Sequence, residues 1–154
     1  MIRNLLSIKV LVFVMLVLTA CNVNDDTLLA AGGTGIENSL GVEMVIEEVA
    51  TYGISLSLQN MTDNEYTYGS HYALYVLVND VWEPVTPIIE SWAFTDIGFT
   101  LYPQSITDTI VVDWVWLYGE LPSGEYRIQK PIWHIDSSSD PEAFLVMGYF
   151  SLGD

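Results

Sequence analysis

Few residues in this chain have the chemistry of a reactive site. Two histidines, His71 and His134, are the side chains of a type that could serve as a near-neutral base. His71 opens an apolar run, where a hydrogen-bonded structural role is expected. His134 leads into an oxygen-rich stretch with Asp136, Asp140, Glu142 and the intervening serines. Such oxygens suit a hard cation such as Ca²⁺, but their spacing fits no standard calcium loop, and a solvated turn explains them as well. No Gly-x-Ser-x-Gly elbow, phosphate-cradling loop or paired-cysteine motif occurs. The residues therefore support neither a catalytic constellation nor a cofactor or metal site, and a non-enzymatic role is expected.

Recognition chemistry is better supplied. Of the five tryptophans, Trp82, Trp92 and Trp133 fall in or beside expected loops and edges, where an indole can stack on a sugar ring or anchor a protein partner. Trp114 shares a strand face with Val112 and is expected in the core. Trp116 would lie on that same face, so a bulge or burial on both faces is needed to place the pair.

Charge narrows the partner classes. Twenty acids stand against four bases, a formal net charge of −16. Two of the bases, Arg3 and Lys9, lie at the front of the chain, which leaves Arg127 and Lys130 for the remainder. A nucleic-acid partner needs a basic footprint, and none exists. The acids keep a surface domain soluble.

The elements that must position these residues follow from hydropathy. Met1 to Ala20 reads as a secretory signal, with a basic flank at Arg3 and Lys9 and an apolar run from Val10 to Leu18 that is too short to span a bilayer. Leu18-Thr19-Ala20-Cys21 resembles the bacterial lipobox, which is cut before its cysteine. That resemblance implies a diacylglycerol on Cys21 and residence on the outer face of the cytoplasmic membrane. Two acyl chains are enough for stable anchoring. Residues 21–40 are small, polar and glycine-broken and read as a tether, which would hold the domain roughly 25 Å from the lipid.

The folded domain is expected over residues 41–154. Val42, Met44 and Ile46 alternate with less apolar neighbours, as do Tyr52, Ile54, Leu56 and Leu58, which predicts a hairpin turning at Ala50 and Thr51. Asn60 to Ser70 reads as a polar loop. The strand beginning at Tyr72 is apolar on both faces and should be central, with Asn79-Asp80 turning it into an edge strand ended by Pro84 and Pro87. An irregular crossing from Ile88 leads to a brief strand at Phe99 to Leu101, and Ser105 to Val115 reads as a further strand. The chain turns at Pro122-Ser123-Gly124, after a strand that closes at Tyr118. Tyr126, Ile128 and Ile132 continue one face until Pro131 bends or ends that strand, and Phe144, Val146 and Phe150 mark the last one. Seven to eight short strands without a convincing helix predict an all-β antiparallel sandwich.

The corner carries a family likeness. Asp113-Trp114, Leu117-Tyr118-Gly119, Leu121-Pro122, Gly124 and Tyr126-Arg127-Ile128, preceded by Glu65 to Gly69 and Trp92 to Thr95, resemble the bacterial immunoglobulin-like domains of exported and lipid-anchored proteins. The likeness spans Gly41 to Trp133. It implies an immunoglobulin-like β-sandwich in which Tyr126 bonds back to the preceding turn, and a cell-surface setting; it implies no reaction. Cys21 is the one cysteine, so no intersheet disulfide is available. Two roles follow: an interaction module that holds a protein or glycan at the envelope, or a spacer without a ligand. Third comes a metal-binding or enzymatic domain built on His134 and its acidic neighbours.

Overall fold

The computed structural model describes residues 41–134 and 142–153. Two antiparallel sheets face each other. The smaller begins with the expected hairpin, β1 (Val42–Ala50) and β2 (Gly53–Asn60), paired from Val42↔Asn60 to Ala50↔Gly53 with a bulge between Ile46 and Glu48. The turn takes Thr51 and Tyr52, so Tyr52 is exposed and not in the core stripe predicted for it.

The Asn60 to Ser70 stretch is more than a loop. It contains β3 (Tyr66–Tyr68), which runs beside the larger sheet's central strand, and Tyr66 is buried there. After a break at Gly69 to Tyr72, β4 (Ala73–Val78) resumes in the same lane. Asn79 and Asp80 turn with φ of 50° and 63°, the left-handed geometry that a tight hairpin requires. The hairpin returns as the edge strand β5 (Val81–Pro84), and β6 (Phe99–Leu101) edges β3 in the same way.

The predicted strand from Ser105 to Val115 is broken into β7 (Ser105–Ile106) and β8 (Ile110–Asp113), both paired to β2. The chain then makes one helical turn, α1 (Val115–Tyr118), where a strand ending at Tyr118 was expected. Apolar residues at Trp114 and Leu117, three apart, bury on the inner side of that turn.

Next, β9 (Gly124–His134) forms the centre of the larger sheet, flanked along its full length by β10 (Glu142–Leu152) and on its other side by β4 and β3 end to end. Pro131 does not end β9, which continues to His134. The β4 ladder stops at Gln129 and the β3 ladder starts at Ile132, so Pro131 sits opposite the break between them, where a residue without an N–H is tolerated.

The ten segments occupy seven lanes, three in one sheet and four in the other, which meets the expectation of a seven- to eight-stranded sandwich. Between the sheets lie Leu56, Leu58, Leu74, Trp114, Ile128, Ile132, Val146 and Phe150. Trp114 stacks on Phe150 at 5.6 Å, and Phe150 on Tyr126 at 5.5 Å. The Tyr126 hydroxyl donates to Pro122 O at 2.8 Å, the bond expected of a tyrosine at this corner. β2 approaches β8 closely at Gly53: a Cβ there would lie 2.6 Å from Val112 O, so glycine is required for β2 and β8 to pair.

Candidate recognition groove

One edge of the sandwich stays open. The β3–β4 break and β6 belong to one sheet and β8 to the other, and between them runs a groove of about 620 Å³. Its walls are aromatic. Phe94, from the crossing between β5 and β6, meets His71 at 5.0 Å, Tyr72 at 5.2 Å and Trp116 at 5.9 Å, all edge-on, and Phe99 stacks on Tyr68 at 5.5 Å. Edge-on and offset contacts are the preferred aromatic geometries. The crossing is tied down where the Ser70 hydroxyl donates to Thr95 O at 2.8 Å and Thr95 Oγ1 donates to Ser70 Oγ at 3.1 Å.

The floor holds Lys130. It follows Tyr126 and Ile128 in the inward register of β9, and its side chain is 1% exposed. Its Nζ donates to Gly69 O at 3.0 Å and to His71 O at 3.1 Å, carbonyls of the β3–β4 break that no strand pairs. Lys130 thus supplies to the broken lane the donors that a continuous ladder would have given. Burial lowers its pKa to about 8. Burial also raises the Tyr72 hydroxyl, with Tyr118 and Asp113 adding to the effect, and raises Tyr68, with Asp108 adding there.

The rim is acidic, with Asp108 and Asp113 at either end of β8. Arg127 does not reach it. Its guanidinium lies on the outer face of the larger sheet, 4.5 Å from the Tyr75 ring centroid and 5.1 Å from that of Trp82. Both bases of residues 41–154 are therefore engaged internally.

The three tryptophans singled out from sequence are not gathered into one patch. Trp82 is half-buried on the outer face, 5.6 Å from Tyr149 and away from the groove. Trp92, 44% exposed, lines a side pocket that shares Tyr72, Ala93 and Phe94 with the groove. Trp133 is half-buried and lines a second side pocket with Tyr68, Gly69 and Thr95. Both pockets adjoin the groove through Phe94 or Tyr68.

The tryptophan that enters the groove itself is Trp116, 45% exposed, with its Nε1 donating to Asp113 O at 2.9 Å. Neither a bulge nor burial on two faces separates it from Trp114, as was expected; α1 does. A signal for the floor was present: Lys130 is a charged residue in an inward stripe with Tyr126, Ile128 and Ile132. Phe94 and Phe99 sit in a segment with no period to read.

π faces, hydroxyls and acids line an open groove. His134 does not line the groove, and its ring lies 5.6 Å from that of Tyr66. Among the described residues no group of three His, Cys, Asp or Glu side chains converges on a metal site. Asp136 and Asp140 lie outside the described residues, as do Cys21 and the tether, and the Glu142 side chain is likewise outside.

Among curated proteins, none matches the sequence. A solved protein from Archaeoglobus fulgidus is 16% identical, covering 73% of this chain and 95% of its own, with a TM-score of 0.28. A family profile described as a bacterial Ig-like domain matches residues 36–144, more than half of the chain. With its two facing antiparallel sheets and its tyrosine corner, the chain belongs to the bacterial Ig-like domain family.

Proposed function

We propose that this protein is a non-catalytic envelope lipoprotein, anchored through Cys21, whose Ig-like domain holds a protein or glycan partner at the membrane surface. The observation that carries the reading is the open aromatic groove, where Phe99 and Trp116 are about half exposed and the partly buried Phe94 joins them along one cavity. Accessible aromatics rimmed by polar groups are characteristic of binding surfaces. A spacer without a ligand would have favoured burial of every tryptophan, and Trp92 and Trp116 are exposed.

Capture from membrane and cell-wall extract, with the full chain in detergent as bait, tests this reading. A partner retained by the parent and lost by the double variant Phe99→Ala, Trp116→Ala, with its circular dichroism unchanged, supports it. Equal retention by both removes the groove from the function. The anchor is tested separately: Cys21→Ser should abolish incorporation of a labelled fatty acid and release the protein from the membrane fraction.

A further inference from the structure

The groove has a wall made of backbone. Residues Asp108 to Val112, together with Asp113, line it in unbroken succession, and they form the outer edge of the smaller sheet. The pairing fixes which way their backbone groups point. Trp114 N–H donates to Tyr52 O at 3.2 Å, continuing the β2–β8 ladder by one pair, and Val112 O lies against Gly53. Ile110, Val112 and Trp114 therefore spend their ladder groups on β2. Because the direction alternates along an antiparallel strand, Val111 and Asp113 turn theirs away from β2, toward the groove. Asp113 O accepts from Trp116 Nε1 at 2.9 Å. Among the described residues, no partner is found for the Val111 N–H and C=O or for the Asp113 N–H. Val111 itself is 75% exposed.

An open edge of this kind is a template for another strand, and natural proteins usually blunt it with proline, lysine or a cover. β8 carries neither proline nor lysine. Beside it lies an aromatic-walled groove, into which alternate side chains of an added strand would fall. The charge pattern specifies the partner. Asp108 and Asp113 flank the edge, Asp96 lines the adjoining pocket, and of the domain's two bases Lys130 is buried while Arg127 stacks on the outer face of the larger sheet. Acids at both ends of an edge attract a strand with bases at its ends and repel one with acids.

We propose that β8 and its groove bind a basic, extended peptide segment of a partner protein by strand addition, with an apolar side chain of that segment seated against Phe94, Phe99 and Trp116. This rests on the recognition reading above and narrows it to one class of partner. Main-chain bonds to Val111 and Asp113 would supply the register, and the groove would select the inward side chain.

The test uses the full, ¹⁵N-labelled chain in detergent and a seven-residue peptide of alternating valine and threonine with lysine at each end. Binding should shift the Val111 and Asp113 amide resonances and slow their hydrogen exchange. The same peptide with glutamate at each end should bind about tenfold more weakly, as should the lysine peptide to Trp116→Ala. Val111→Pro removes an outward N–H that β2 does not use, and should abolish binding with the fold retained. Should that variant unfold, a peptide carrying an N-methyl group on its central residue replaces it as the control.

Strand addition is overturned if the Val111 and Asp113 amides gain no protection, or if lysine- and glutamate-ended peptides bind alike. In either case the acids merely guard an exposed edge. A partner captured by the parent and lost by the groove variant, with no amide protection by the peptide, would leave recognition standing and remove this mode alone.

Discussion

Trp114 and Trp116 stand two residues apart and serve opposite regions of the molecule. Trp114 is fully buried at the closed corner, stacked on Phe150, with its Nε1 donating to Thr51 O at 2.8 Å. Trp116 faces the open groove and donates to Asp113 O. Along a strand the two would share a face; around a helix, residues two apart point to nearly opposite sides. The single turn of α1 therefore sends one indole into the core and the other to the surface. The corner is built for stability, with its polar atoms satisfied internally, whereas the groove leaves π faces and a backbone edge unspent.

The sharpest way to break that contrast is Trp114→Ala. Removing a fully buried indole costs about 3–5 kcal/mol and should appear as a large fall in the denaturant midpoint. A loss below about 1 kcal/mol would mean that the corner does not anchor the sandwich.

Lys130 ties the groove floor to the core, and its burial makes stability depend on pH. Because its folded pKa is lowered to about 8, the unfolded chain binds the extra proton above that value, so stability rises with pH from about 8 toward 10. The gain should reach roughly 2–3 kcal/mol and be absent from Lys130→Met. Beyond pH 10 the trend reverses. Burial raises the hydroxyl pKa of Tyr72, Tyr118, Tyr75, Tyr126 and Tyr68, so their ionisation favours the unfolded chain. Urea midpoints measured at closely spaced pH values would check both limbs.

At the corner, Tyr126→Phe deletes the hydroxyl that donates to Pro122 O and should cost about 1 kcal/mol in chemical denaturation. The smallest stability effect belongs to the groove. Trp116→Ala should change stability by no more than about 0.5 kcal/mol, yet it should abolish capture of the partner. A larger loss of stability from Trp116→Ala than from Tyr126→Phe would invert the division between the two regions.

Much of this was legible beforehand. The β1–β2 hairpin, the Asn79-Asp80 turn and the Tyr126 corner depend on local rules: period two, positive φ and a four-residue reach. The groove was not. Trp82, Trp92 and Trp133 were distinguished by their place near loops, but proximity to a loop says nothing of which surface a side chain joins. Trp82 finished against Arg127 and Tyr149, while Trp92 and Trp133 finished in pockets beside the groove.

By itself the sequence determined the sandwich, its turns, its acidity and the likeness of its first residues to a lipoprotein leader, since each follows from composition or short-range pattern. Tertiary structure alone decided that β9 runs through Pro131, that Lys130 is buried beneath a broken lane, and that Phe94, Phe99 and Trp116 share a groove with the unpaired edge of β8. Those outcomes depend on which strands lie opposite one another across tens of residues. No local period records that, because side chains meet through pairings whose register is set by the packing of both sheets at once.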